Sequence, residues 1–142
     1  MTNDVIVGIG SNINPLSHIK KAVELIEQAF SDVKCSRLLE TAPLGFKDQE
    51  NFLNGALRFK TTLNPEDLKA WLLNLEHRLG RLRTGNKNGP RTIDLDILVW
   101  NSKIVDKDVY TRDFLRKSID ELSPGFFTKQ GDDGKCFNSR SD

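Results

Sequence analysis

A chain of 142 residues and 16.1 kDa is long enough for one compact domain and short for two. With 37% hydrophobic and 29% charged residues it lies in the soluble globular range, which excludes a coiled coil, a collagen-like repeat and general disorder. Twenty-one basic against twenty acidic side chains leave a net charge of +1, so no overall field favours nucleic acid or an anionic membrane, and any phosphate chemistry must come from local clustering.

Residues 4–10, D-V-I-V-G-I-G, form an apolar run short enough for a buried strand, and it stops at Gly10-Ser11-Asn12. Asn14-Pro15 is a helix start, with Asn14 as cap acceptor and Pro15 preset for the first turn. Leu16, Ile19, Val23, Ile26 and Phe30 then recur at helical spacing on one face. Residues 33–40 predict a weaker strand and 41–51 a loop. Residues 52–61 alternate, placing Leu53, Gly55, Leu57 and Phe59 on one face and Phe52, Asn54, Ala56, Arg58 and Lys60 on the other. A second Asn-Pro start, Asn64-Pro65, opens a helix with Leu68, Leu72, Leu75, Leu79 and Leu82 as its buried stripe. Residues 83–91 read as a flexible Gly- and Asn-rich loop and 92–100 as a strand. Phe114, Leu115, Ile119 and Leu122 predict a short helix stopped by Pro124. Asp133-Gly134, between Phe126-Phe127 and Cys136-Phe137, suits a small hairpin, and the last five residues should fray. The order predicts an α+β, ferredoxin-like βαββαβ sandwich, with helices packed on one face of a mainly antiparallel sheet.

No apolar run reaches the roughly 20 residues of a membrane span, and the first four residues lack the basic start of a secretory signal, so a cytoplasmic protein is expected. Cys35 and Cys136 have no Cys or His neighbours at metal or redox spacing and read as ordinary thiols. Gly8-Ile9-Gly10 is a weak dinucleotide signal because Ile13 stands where the third glycine belongs. The Asn54 to Phe59 strand lacks the spaced aromatics of an RNA-recognition module.

Chemistry concentrates in Gly89-Pro90-Arg91-Thr92-Ile93-Asp94-Leu95-Asp96-Ile97-Leu98. In a strand, Ile93, Leu95 and Ile97 point to the core, while Asp94 and Asp96 point together to the other face about 7 Å apart. An isolated D-x-D is more often a solvated strand face. Here five basic residues, Arg78, Arg81, Arg83, Lys87 and Arg91, precede it with no acid between. Carboxylate oxygens for a hard divalent cation beside guanidinium forks for phosphates suit a Mg²⁺-bound polyphosphate.

The same segment resembles the signature of the 6-hydroxymethyl-7,8-dihydropterin pyrophosphokinase family, which transfers pyrophosphate from ATP to a pterin alcohol in the folate pathway. Gly10-Ser11-Asn12, Thr41-Ala42-Pro43-Leu44-Gly45, Phe52-Leu53-Asn54-Gly55-Ala56 and Glu76 with Gly80-Arg81-Leu82-Arg83 resemble further family motifs in the same order, over roughly residues 4–105 and more weakly 112–124. The resemblance implies that Asp94 and Asp96 hold two Mg²⁺ ions and, with Arg81 and Arg91, carry catalysis. It implies ATP contacts from Glu76, Arg83, Arg91, Ile97 and Arg112. It gives the reduced pterin to Thr41, Ala42, Leu44, Phe52, Asn54 and Phe114. A pterin is flat with an edge of donors and acceptors, so an aromatic face and the Asn54 amide suit it. Taken alone, Phe52 would read as core and Asn54 as a solvated strand position. The sequence departs from the family at residues 106–111, where a longer Pro-His stretch is usual and no His occurs, and at Asn88 and Leu73. The expected protein is a monomeric enzyme on small-molecule substrates, with no nucleic-acid or membrane partner. The rival is a pterin- or nucleotide-binding relative that serves as a sensor without turnover.

Overall fold

The computed structural model describes residues 2–42, 50–80 and 92–130. The elements run β1 (Asn3–Ser11), α1 (Pro15–Ala29), β2 (Ser31–Cys35), β3 (Leu39–Thr41), β4 (Phe52–Thr61), α2 (Pro65–Arg78), β5 (Asp94–Trp100), β6 (Lys103–Ile104), a 3-10 turn (Lys107–Tyr110), α3 (Asp113–Leu122) and α4 (Phe126–Gln130). Every described strand pair is antiparallel, and the sheet order is β2-β4-β1-β5-β6 with β3 also paired to β4. The expected loop at residues 83–91, Leu82, Asp133-Gly134 and Cys136 lie outside the described residues. Phe126-Phe127, expected as the first arm of the hairpin, instead opens the helix α4.

β1 is apolar on both faces because both are covered. Val5, Val7 and Ile9 meet Leu57 and Phe59 of β4, Ile93 and Leu95, and the α1 and α2 stripes Ile19, Ala22, Ile26, Leu68, Leu72 and Leu75. On the opposite face Ile6, Ala56, Leu98 and Val99 are roofed by Val109, by Leu115, Ile119 and Leu122 of α3, and by Phe126 of α4. This corrects the expectation of helices on one face only. The expected helix before Pro124 is α3, and its apolar stripe has to be buried against the apolar half of the sheet's second face. Arg58 fastens this layer. Its Nε and Nη2 donate to Asp4 at 3.0 and 2.7 Å, and its Nη1 donates to the Leu122 carbonyl at the end of α3 at 2.9 Å.

Three local expectations change. Asn14 stands at the N-terminus of α1 with φ 43° and makes no side-chain cap bond, so it supplies a left-handed backbone turn, which Asn tolerates, rather than an acceptor. Leu16, in the first turn, stays 68% exposed, and Ala22 takes a buried place in the helix contact instead. The single strand expected over residues 33–40 is split into β2 and β3. Between them Ser36 bonds the Ala56 N–H through its hydroxyl at 2.8 Å and the Ala56 carbonyl through its own N–H at 2.9 Å. A side chain thus takes over one rung of the ladder and interrupts regular pairing. Asn64 behaves as expected, its Oδ1 accepting from Asp67 N–H at 2.8 Å.

β5 carries a bulge. Val5 faces Trp100 and Ile6 faces Val99, but Val7 faces Ile97, so Leu98 is an extra residue. Leu98 and Val99 therefore both join the α3 layer, while Ile97 and Trp100 pack toward α1 and α2.

Candidate active site

The strand register builds the site. Gly10 lies between Asn54 on β4 and Asp94 on β5, and Gly8 lies between Ala56 and Asp96. Two rows thus cross the sheet, Asp94-Gly10-Asn54 and Asp96-Gly8-Ala56, on the face that α3 covers at its far end. Close approach explains both glycines. A Cβ on Gly10 would stand 2.6 Å from Asn54 Oδ1, and one on Gly8 would stand 3.2 Å from Leu98 Cδ1. The glycines leave a floor between the carboxylates and the amide.

The walls of this cleft come from the connection between β6 and α3 and from the start of α3: Asp106, Asp108, Arg112, Phe114 and Leu115. Asn54 is held in place by donating through Nδ2 to Thr41 Oγ1 at the end of β3. Asp94 is half-buried and Asp96 exposed, so both oxygens can be reached from solvent. Hard carboxylate donors on one open face fit Mg²⁺, which keeps several waters and takes one or two carboxylates together with substrate phosphates. Among the described residues no group of three or more His, Cys, Asp and Glu side chains could hold a metal ion, so an ion here would complete its shell from substrate and water.

Of the residues expected from sequence, the structure gathers Asp94, Asp96, Asn54, Arg112 and Phe114 around one cleft. Thr41 adjoins it through Asn54, and Ala42 follows directly in the chain. Three expected residues are placed differently. Phe52 shares the Asn54 face of β4 but is only 8% exposed. Ile97 packs its side chain among the α1 and α2 core, because alternation turns it away from Asp96. Glu76, 3% exposed, sits behind β5 on α2, and its Oε2 accepts from the Leu95 N–H at 2.8 Å. That amide lies between the two aspartates, so Glu76 holds the strand that presents them. Leu44, Arg81, Arg83 and Arg91 lie outside the described residues.

Glu76→Ala leaves a buried N–H without this acceptor and should cost about 1–3 kcal/mol. Thermal denaturation should show a fall of several degrees, and Glu76→Gln, which keeps an acceptor oxygen, should lose less than half as much.

Sequence reasoning missed Gly8 and Gly10 as site residues, along with Asp106 and Asp108. The signal for the glycines was present: G-x-G and D-x-D alternate at the same period, and pairing their strands puts all four on one face. Ser11 and Asn12, both buried, close the end of β1, where Asn12 Nδ2 donates to the Glu50 carbonyl at 3.0 Å. At the exposed Cys35, partial desolvation of the thiol first and Glu27 second push its pKa upward.

Residues 6–124 match the profile of the 7,8-dihydro-6-hydroxymethylpterin-pyrophosphokinase family. The chain belongs to this family. The pyrophosphokinase motifs recognised in the sequence and the matched region therefore coincide. The chain is 40% identical over 111 residues to a 2-amino-4-hydroxy-6-hydroxymethyldihydropteridine pyrophosphokinase of Bacillus subtilis, covering 76% of this chain and 66% of that protein. It is 38% identical over 102 residues to one of Aquifex aeolicus, covering 71% and 63%. A folate synthesis bifunctional protein of Arabidopsis thaliana is 36% identical over 107 residues, covering 74% of this chain and 22% of its own length. The chain thus spans just under two thirds of the bacterial pyrophosphokinases it matches.

Proposed function

We propose that this chain transfers diphosphate from ATP to the hydroxymethyl group of 6-hydroxymethyl-7,8-dihydropterin, a step of folate synthesis. The observation that carries the reading is the pair of rows across β4, β1 and β5, which sets two carboxylates and an anchored amide on one face with only glycine between them. Family membership supplies the reaction class. In that reaction the hydroxymethyl oxygen attacks the β-phosphorus, the bond between the α,β-bridging oxygen and the β-phosphorus breaks, AMP leaves and the hydroxyl proton is released.

Asp94 and Asp96 would hold the Mg²⁺ ions, whose contribution is to neutralise charge on the phosphates. The rest is positioning by this chain's own groups. Asn54, fixed by Thr41, offers both a donor and an acceptor to the pterin edge, and Phe114 offers a ring. Arg112, at the start of α3, offers guanidinium donors to phosphate. Glu76 keeps β5 in register behind the aspartates. Together these confine two reactants to one orientation, the larger part of what phosphoryl-transfer enzymes do.

The same proposal extends to fold and setting. β1, α1, β2, β4, α2 and β5, with sheet order β2-β4-β1-β5, follow the ferredoxin-like βαββαβ plan, and β3, β6, α3 and α4 are additions to it. The protein would act as a cytoplasmic monomer on small molecules. Among the described residues no helix is long and apolar enough to cross a membrane.

Incubation with ATP, Mg²⁺ and the reduced pterin alcohol should yield AMP and a pterin diphosphate in equal amounts. Ligand binding with no AMP formed would instead identify a non-catalytic relative.

A further inference from the structure

The connection between β6 and α3 puts a carboxylate where the proposed polyphosphate has to lie. Asp106 Oδ1 accepts from the Asp108 N–H at 2.9 Å, which fixes the 3-10 turn and sets Asp108 against the same cleft as Asp94 and Asp96. One turn later the Arg112 N–H donates to the Asp108 carbonyl at 2.9 Å, and Arg112 Nη2 stands 3.6 Å from Asp108 Oδ2. Among the described residues lining the cleft, Arg112 is the one cation and faces four carboxylates: Asp94, Asp96, Asp106 and Asp108.

We propose that Asp108 sets the affinity of the cleft for polyphosphate, by holding Arg112 in an ion pair that an incoming phosphate must displace. The proposal rests on the functional reading above and adds to it a residue that opposes binding. The two side chains are 39% and 50% exposed, so their attraction is screened and weak. A phosphate chain carrying several charges wins the guanidinium, while a single phosphate competes poorly. Asp108 therefore acts as a positioning residue through Arg112, keeping the guanidinium parked at the mouth of the cleft and favouring release of the monophosphate product over retention.

Calorimetry on the full chain with Mg²⁺ and the α,β-methylene analogue of ATP reads this directly, because the analogue lacks the scissile bridge. Asp108→Asn should bind it about three- to tenfold more tightly than the parent, and AMP more tightly as well. In an Arg112→Ala background the same change should gain less than twofold. Unchanged or weaker binding in Asp108→Asn overturns the proposal, and so does an equal gain in both backgrounds. A merely structural role for Asp108 would lower the melting temperature and weaken binding, the opposite direction. Because the readout is affinity, a chain that binds the analogue but makes no product refutes the activity and leaves this proposal standing.

Discussion

Asp94→Ala and Asp96→Ala should each lower kcat/KM by about a hundred- to a thousandfold while the fold survives. Each carboxylate is assigned a share of the charge stabilisation around the transferring phosphates, and losing one preorganised electrostatic partner typically removes about 3–4 kcal/mol of transition-state stabilisation. Neither aspartate is buried. Substitution at such positions moves stability by about 0.5 kcal/mol, or a degree or two in melting temperature for a chain of this size. Coupled detection of AMP alongside thermal denaturation separates the two effects. Turnover within tenfold of the parent in either variant would remove the metal assignment.

Gly10→Ala should strike the pterin side. The added methyl would arrive 2.6 Å from Asn54 Oδ1, well inside contact distance, and Asn54 has little freedom to yield because its Nδ2 is tied to Thr41. Swinging the amide out breaks that bond and misplaces the groups meant for the pterin edge, a loss of about 1.5–3 kcal/mol. The expected result is pterin binding weaker by about ten- to a hundredfold, measured by fluorescence titration, with the affinity for the ATP analogue changed less than threefold. An equal loss for both ligands would show that the methyl distorts the sheet rather than the amide.

Much of the site was legible because it obeys period-2 geometry. The Asp94 and Asp96 pair, the Asn54 face of β4 and the core role of Leu95 all follow from alternation, and the register places them as alternation requires. What stayed hidden depended on contacts between distant segments. Glu76 is an ordinary acid in a helix until the Leu95 N–H comes to rest against it, 19 positions along the chain. Asp106 and Asp108 looked like filler in a shortened connection, and only the path of the chain from β6 into α3 brings them to the cleft. Asn14 shows the converse case. Its residue type signals a helix start, but the same type also tolerates positive φ, and the backbone used the second property. The second helical layer went unread because its stripe on α3 is short, and nothing local says which face of a sheet such a stripe will cover.

The bulge at Leu98 makes β5 tolerant of length change on one side and intolerant on the other. Deleting Leu98 would restore plain pairing and leave every other residue of the strand on its present face, at the expense of one side chain over Gly8. Deleting Ile97 is absorbed in the same way, with Leu98 taking its place opposite Val7. Deleting Leu95, between the two aspartates, would instead turn one carboxylate from the cleft toward α1 and α2. Insertions and deletions in related chains should therefore collect at positions 97 and 98 and be absent between the aspartates, a pattern set by the sheet's geometry before any chemistry selects for it.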